Sequence, residues 1–162
     1  MEIIEQKKIA EIRDMLAEAV TLNRYVGTLF TGMADALNTD DFKRLHVSVE
    51  ASTDGVTHSI TVNTPHGTIV GIAEHARSER NLIAKIAFVT VRVNGDGQTT
   101  PTEIMTLAIT GYGFVTEVDG VPCDKRVGDE TDDDLAHDFA WRLLSNLHDK
   151  LPGTSDISFF SF

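Results

Sequence analysis

Only one cysteine, Cys123, stands among 162 residues, so no internal disulfide framework can form. A lone thiol fits a reducing compartment. No apolar run approaches the ~20 residues needed to cross a bilayer, and no membrane partner is expected. Bases are scarce: 14 lysines and arginines face 25 acids, for a net charge of -11. Phosphate binding needs a basic footprint, so nucleic acid is not an expected partner. The start, Met1-Glu2-Ile3-Ile4-Glu5-Gln6-Lys7-Lys8, has no apolar stretch of the signal-peptide kind and runs into an amphipathic pattern. The expected location is cytoplasmic.

Chemical motifs are as sparse as cysteine. A zinc site usually shows a Cys-x-x-Cys or two histidines at i and i+4, and neither occurs. Gly111-x-Gly113 lacks the third glycine and the strand-to-helix setting of a dinucleotide loop. Asn94-Gly95-Asp96-Gly97 lacks the acidic spacing of a calcium loop and reads as a turn. There is no Walker sequence and no nucleophile elbow. No cofactor or metal is therefore expected, and the chain leans away from catalysis.

What is present is ordinary globular material. Hydrophobic residues make up 41% and charged residues 24%, and the length suffices for one core. No linker divides the chain, so residues 1–162 are expected to form a single domain. Ile9, Ile12, Leu16, Ala19, Asn23, Val26, Phe30, Met33 and Leu37 recur at spacings of three and four, which predicts a helix over residues 2–37. Such a helix would be about 50 Å long, longer than a domain of this size. Either it breaks near residues 27–32, where Gly27, Thr28, Thr31 and Gly32 lower propensity, or its N-terminal half projects to pair with a second chain. Asn38-Thr39-Asp40-Asp41 reads as a stop and turn.

From Phe42 the period becomes two. Residues 42–127 predict an antiparallel meander of five to seven strands, with turns at Thr53-Asp54-Gly55, Thr64-Pro65-His66-Gly67 and Asp119-Gly120. Residues 74–81 interrupt the alternation and predict a short helix or polar loop. Residues 82–93 are apolar on both faces at their start, which suits a central strand covered on both sides or placed at an interface. Gly111-Tyr112-Gly113 predicts a bend, and Pro122 an edge strand. A second helix is predicted over residues 132–151, capped by Thr131 and ended by Pro152-Gly153. An apolar tail, residues 155–162, holds three of the eight phenylalanines, Phe159, Phe160 and Phe162.

The fold class is α+β, with both long helices on one face of the sheet. No family motif occurs. In topology and charge alone, the element order is similar to that of small acidic secretion chaperones. His46 and Glu50 share a predicted strand face that His58 could join, although a solvated face explains them better. His137, Trp141 and His148 share one flank of the last helix. Asp133 or Asp134 is placed to orient His137 there, although simple pairing in the first turn is the plainer account. Cys123 has no base beside it in sequence and reads as a small edge-strand residue. Residues 117–138 hold nine acids against Lys125 and Arg126, a cluster suited to a solvated cap or a basic partner.

Three functions follow as expectations. The leading one is a non-enzymatic protein-interaction module, a homo-oligomeric adaptor or chaperone-like protein binding another polypeptide. Its candidate interface comprises Ile9, Ile12, Leu16, Asn23, Phe159, Phe160 and Phe162. The second is a small-molecule-binding protein or enzyme with a pocket between sheet and C-terminal helix, lined by His58, Tyr112, Trp141 and His137. The third is a structural or assembly subunit.

Overall fold

A computed structural model describes residues 3–53, 58–79, 81–93, 95–128 and 133–153. The chain opens with helix α1 (Gln6–Leu37), followed by the five-residue helix α2 (Asp40–Arg44). Seven strands come next: β1 (Ser48–Thr53), β2 (His58–Thr64), β3 (Gly67–Ser78), β4 (Asn81–Val93), β5 (Thr99–Thr110), β6 (Phe114–Val118) and β7 (Val121–Arg126). Helix α3 (Asp133–Asp149) closes the described fold. The strands lie in sequence order in one sheet, and every neighbouring pair is antiparallel. The α+β meander expected from the sequence is the observed fold.

Helix α1 is unbroken through Gly27 and Gly32, so of the two alternatives the break does not occur. Its 32 residues span about 48 Å. The two glycines serve packing. A Cβ at Gly32 would lie 2.8 Å from the Ala136 Cβ of α3, and one at Gly27 would lie 3.0 Å from the His58 ring. Their missing side chains let α1 approach α3 and β2. All of the buried α1 residues lie between Leu22 and Leu37.

Beneath α1 the core is a row across the sheet. Ile60 faces Gly71, Gly71 faces Phe88, and Phe88 faces Met105. Phe30 of α1 meets Phe88 edge-on, with ring centroids 6.1 Å apart. Gly71 leaves room for its neighbours, since a Cβ there would stand 2.7 Å from both Ile60 and Phe88. The register slips once between Phe88 and Val89, so that Ile104 is an extra residue in β5. Both Ile104 and Met105 are buried. Such a bulge bends its strand and re-aims side chains.

Several sequence expectations are corrected. Residues 40–44 form a helix rather than a turn, because Thr39 Oγ1 accepts from the Phe42 amide and two acids occupy the first turn. Phe42 is thus helical, and β1 begins only at Ser48. His46 sits at φ 59 in the connection. It therefore shares no strand face with Glu50 or His58. The short helix or polar loop predicted at residues 74–81 is instead strand through Ser78, paired residue for residue with β4. Its polar side chains line a stretch of β3 left partly uncovered, where Glu74 and Arg77 are exposed. Pro101 lies inside β5, opposite Val91. Its missing N–H matters little, because β6 pairs with β5 only from Leu107 to Ile109.

Other boundaries agree with the sequence. Asp119 (φ 53) and Gly120 (φ 78) make the tight left-handed turn between β6 and β7, and Pro122 lies on the edge strand. The Asp54-Gly55 turn, the Thr131 cap and the apolar tail, residues 155–162, lie outside the described residues.

Candidate functional site

Two concave features stand out, one on each side of the sheet. The first is a cleft of about 610 Å³ along α1. Val20, Arg24, Gly27, Thr28, Thr31 and Asp35 contribute from the helix, His58 from β2, Val127 and Gly128 from the end of β7, and Leu135 and Ala136 from α3. His58 is placed there by the period of β2, which turns positions 58, 60 and 62 toward the helices. It is 8% exposed, and neither ring nitrogen has a hydrogen-bond partner. Thr90, the other buried polar residue among those described, donates its hydroxyl to the Thr68 carbonyl at 2.9 Å.

The second feature is the face of the sheet that no described element covers. The core row fixes the parity of each strand, so Val70, Ile72, Ile83, Ala87, Val89 and Val91 point away from the helices. A hollow of about 520 Å³ lies on this face around Ile72, Ala87, Val89 and Ala108. Glu74, Lys85, Glu103 and Glu117 also line it. Ala108 is buried although no helix lies over it, while Ile72 is 50% exposed. Strand β4 is central, fourth of seven. Its helix-facing side is covered, and its opposite side is not covered by any described element.

The candidate pocket residues do not converge. His58 lines the α1 cleft. Tyr112 is 78% exposed at the β5–β6 turn, beside a separate hollow with Ile83 and Pro122. On α3, the Trp141 indole Nε1–H donates to Nε2 of His137 at 3.2 Å, and the Trp141 ring lies 5.2 Å from that of Phe42. His137 is thus engaged by tryptophan, four residues on along the same helix. His148 lies near His66, with ring centroids 6.2 Å apart. Cys123 is a half-buried free thiol on β7. Among the described residues, no three of His, Cys, Asp and Glu group as metal ligands.

The candidate interface residues divide. Ile12 and Leu16 are exposed, Leu16 at 62%, while Ile9 is half-buried. Asn23 faces the sheet of its own chain, where its Oδ1 lies 2.7 Å from Nε2 of His75. Phe159, Phe160 and Phe162 lie outside the described residues.

Sequence reasoning missed Asp119. Its Oδ1 accepts from the Thr106 amide, and its Oδ2 accepts from Arg142 Nε and Asn146 Nδ2, each at 2.9 Å. One carboxylate in a turn thereby joins β5 to α3. Burial pushes its pKa up, but those hydrogen bonds and the Arg142 charge outweigh burial and hold it below the usual aspartate range. The only sequence signal was a turn residue chosen for its backbone.

Among the described residues, no helix is long and apolar enough to cross a membrane. Comparison with protein-family models, curated proteins and solved structures finds no match. The fold and the two concave features therefore define the protein as an α+β meander domain with one sheet face that no described element covers and one helix-flanking cleft.

Proposed function

We propose that this chain is a protein-interaction module that receives an apolar segment of another polypeptide on its uncovered sheet face. The observation that carries the reading is the apolar patch on β3 and β4, where Ile72, Ala87 and Val89 line a hollow that no described element fills. The open side of an antiparallel sheet is ordinarily polar, and a contiguous exposed apolar patch marks a contact site. Three glutamates against one lysine also line the hollow. This charge favours a partner with basic residues beside its apolar ones. A second copy fits this face less well, because each copy carries a net charge of -11.

Peptide display against the immobilised full chain tests the reading. The expected selection is short apolar cores flanked by lysine or arginine, lost on a Val89→Lys variant. No enrichment, or the same enrichment on wild type and variant, overturns it.

A second reading, self-association, rests on a different observation. Ile12, Leu16 and Val20 are exposed on the N-terminal half of α1. An antiparallel two-fold at Leu16 sets Ile12 of one copy against Val20 of the other and joins the three residues into one apolar seam. Light scattering on the full chain is expected to show a dimer that Leu16→Glu dissociates; a monomer in both removes this reading.

A further inference from the structure

We propose that the α1 cleft is a binding site for a small carboxylate with an apolar body, received by His58 and Arg24. The site is separate from the sheet face and stands or falls independently of it.

The argument starts from His58. More than nine-tenths of the residue is buried, and both ring nitrogens lack a partner. An unmet buried polar group is costly, and buried polar atoms are nearly always bonded. Such an exception in the wall of a cleft is where a ligand regains what the fold gives up. The cleft volume, about 610 Å³, lies within the roughly 300–1,000 Å³ typical of small-molecule sites. Gly27 is the helix position against His58, and a Cβ there would press on the ring at 3.0 to 3.2 Å. Both nitrogens are sealed from water where the ring now lies. The torsion about Cβ–Cγ is broad, and the proposal requires that binding turn the ring to bring a nitrogen to the cleft.

Charge and position select the ligand class. Arg24 lies three residues from Gly27, about 4.5 Å along the helix axis, and Asp35 lies eight residues away, about 12 Å. Of the two charged residues lining the cleft, Arg24 is therefore the nearer to Gly27 along the helix. Arg24 is exposed and forms no ion pair among the described residues. The Thr28 hydroxyl is already committed to the Arg24 carbonyl at 2.9 Å. What remains at this end is the arginine fork and an imidazole with one N–H donor and one acceptor nitrogen. Donors of this kind suit a carboxylate. Val20, Val127 and Leu135 supply the apolar wall for the rest of the molecule.

The test uses three probes of one shape and different charge: benzoate, benzamide and benzamidine. Each is titrated into the ¹⁵N-labelled full chain, following the Gly27 and Gly32 amides and the His58 ring nitrogens. Benzoate is expected to shift these signals and to bind about fivefold or more tighter than benzamide, the scale of one charge-assisted hydrogen bond. Benzamidine is expected to leave them in place. Arg24→Gln should reduce benzoate to the level of benzamide, and His58→Phe should abolish the response. Arg24 is exposed, so its variant keeps the test decisive even where His58→Phe does not fold. Equal shifts with all three probes, no shift with benzoate, or an unchanged benzoate response in Arg24→Gln overturns the proposal.

Discussion

Asp119 shows how much one side chain can join. It turns the chain at a left-handed φ, receives the Thr106 amide from β5, and holds Arg142 and Asn146 of α3. Its lowered pKa makes this a pH-dependent tie. A carboxyl whose folded pKa lies below its unfolded value adds stability above the unfolded pKa, and that stability is lost as pH falls through the folded one. Asp119→Asn keeps the turn, since asparagine tolerates the left-handed region, but loses the charge. We expect it to cost about 1–2 kcal/mol near neutral pH. The gap to wild type should narrow as pH falls from about 5 to about 2. Urea unfolding across that range checks this, and a gap independent of pH contradicts it. Gly71 is a second such position. Gly71→Ala places a methyl 2.7 Å from Ile60 and Phe88, and the overpacking is expected to cost about 1–3 kcal/mol. Neither role was legible in sequence. Asp119-Gly120 reads as a turn, and Gly71 as a weak point in a strand, because the partners of both come from distant segments.

At the scale of elements, periodicity carried most of the information. Helices α1 and α3 and strands β4, β6 and β7 could be read from spacing. What spacing could not show is which part of a periodic stripe finds a partner. The stripe of α1 is as regular at Ile12 and Leu16 as at Phe30 and Met33, yet only the second pair is buried, as is Leu29 beside it. Leu16→Glu is therefore expected to change stability by no more than about 0.5 kcal/mol, whereas Leu29→Ala should cost about 2–5 kcal/mol. Chemical denaturation of the two variants tests the division; a large loss from Leu16→Glu as a monomer contradicts it. The error at residues 74–81 has the same origin. Polar side chains there suggested a loop, but register with β4 continues to Ser78 because backbone pairing does not need an apolar face.

For the whole molecule, the cleft depends on α1 lying unbroken across β2. His58 was legible as a candidate because the period of its strand turns it inward. Its companions were not, since Tyr112, His137 and Trp141 were grouped by residue type, and the topology sends them elsewhere. Arg24 and Gly27 entered the site only through the path of a helix over a strand thirty residues further on. The charge of the whole chain, by contrast, was visible from composition and leads to a prediction of its own. A net charge of -11 opposes compaction through self-repulsion. Few compensating pairs act against it: among the described residues there are three salt bridges, two of them exposed pairs three residues apart. Such pairs contribute little, so salt has more repulsion to screen than attraction. Raising ionic strength from about 0.01 M to about 0.15 M shortens the Debye length from about 30 Å to about 8 Å. Thermal stability should then rise, by about 2–4 °C for each kcal/mol of repulsion removed in a chain of this length. Calorimetry in sodium chloride measures this directly. A melting temperature that falls with salt would mean that attractive pairing, rather than excess negative charge, governs the electrostatics of the fold.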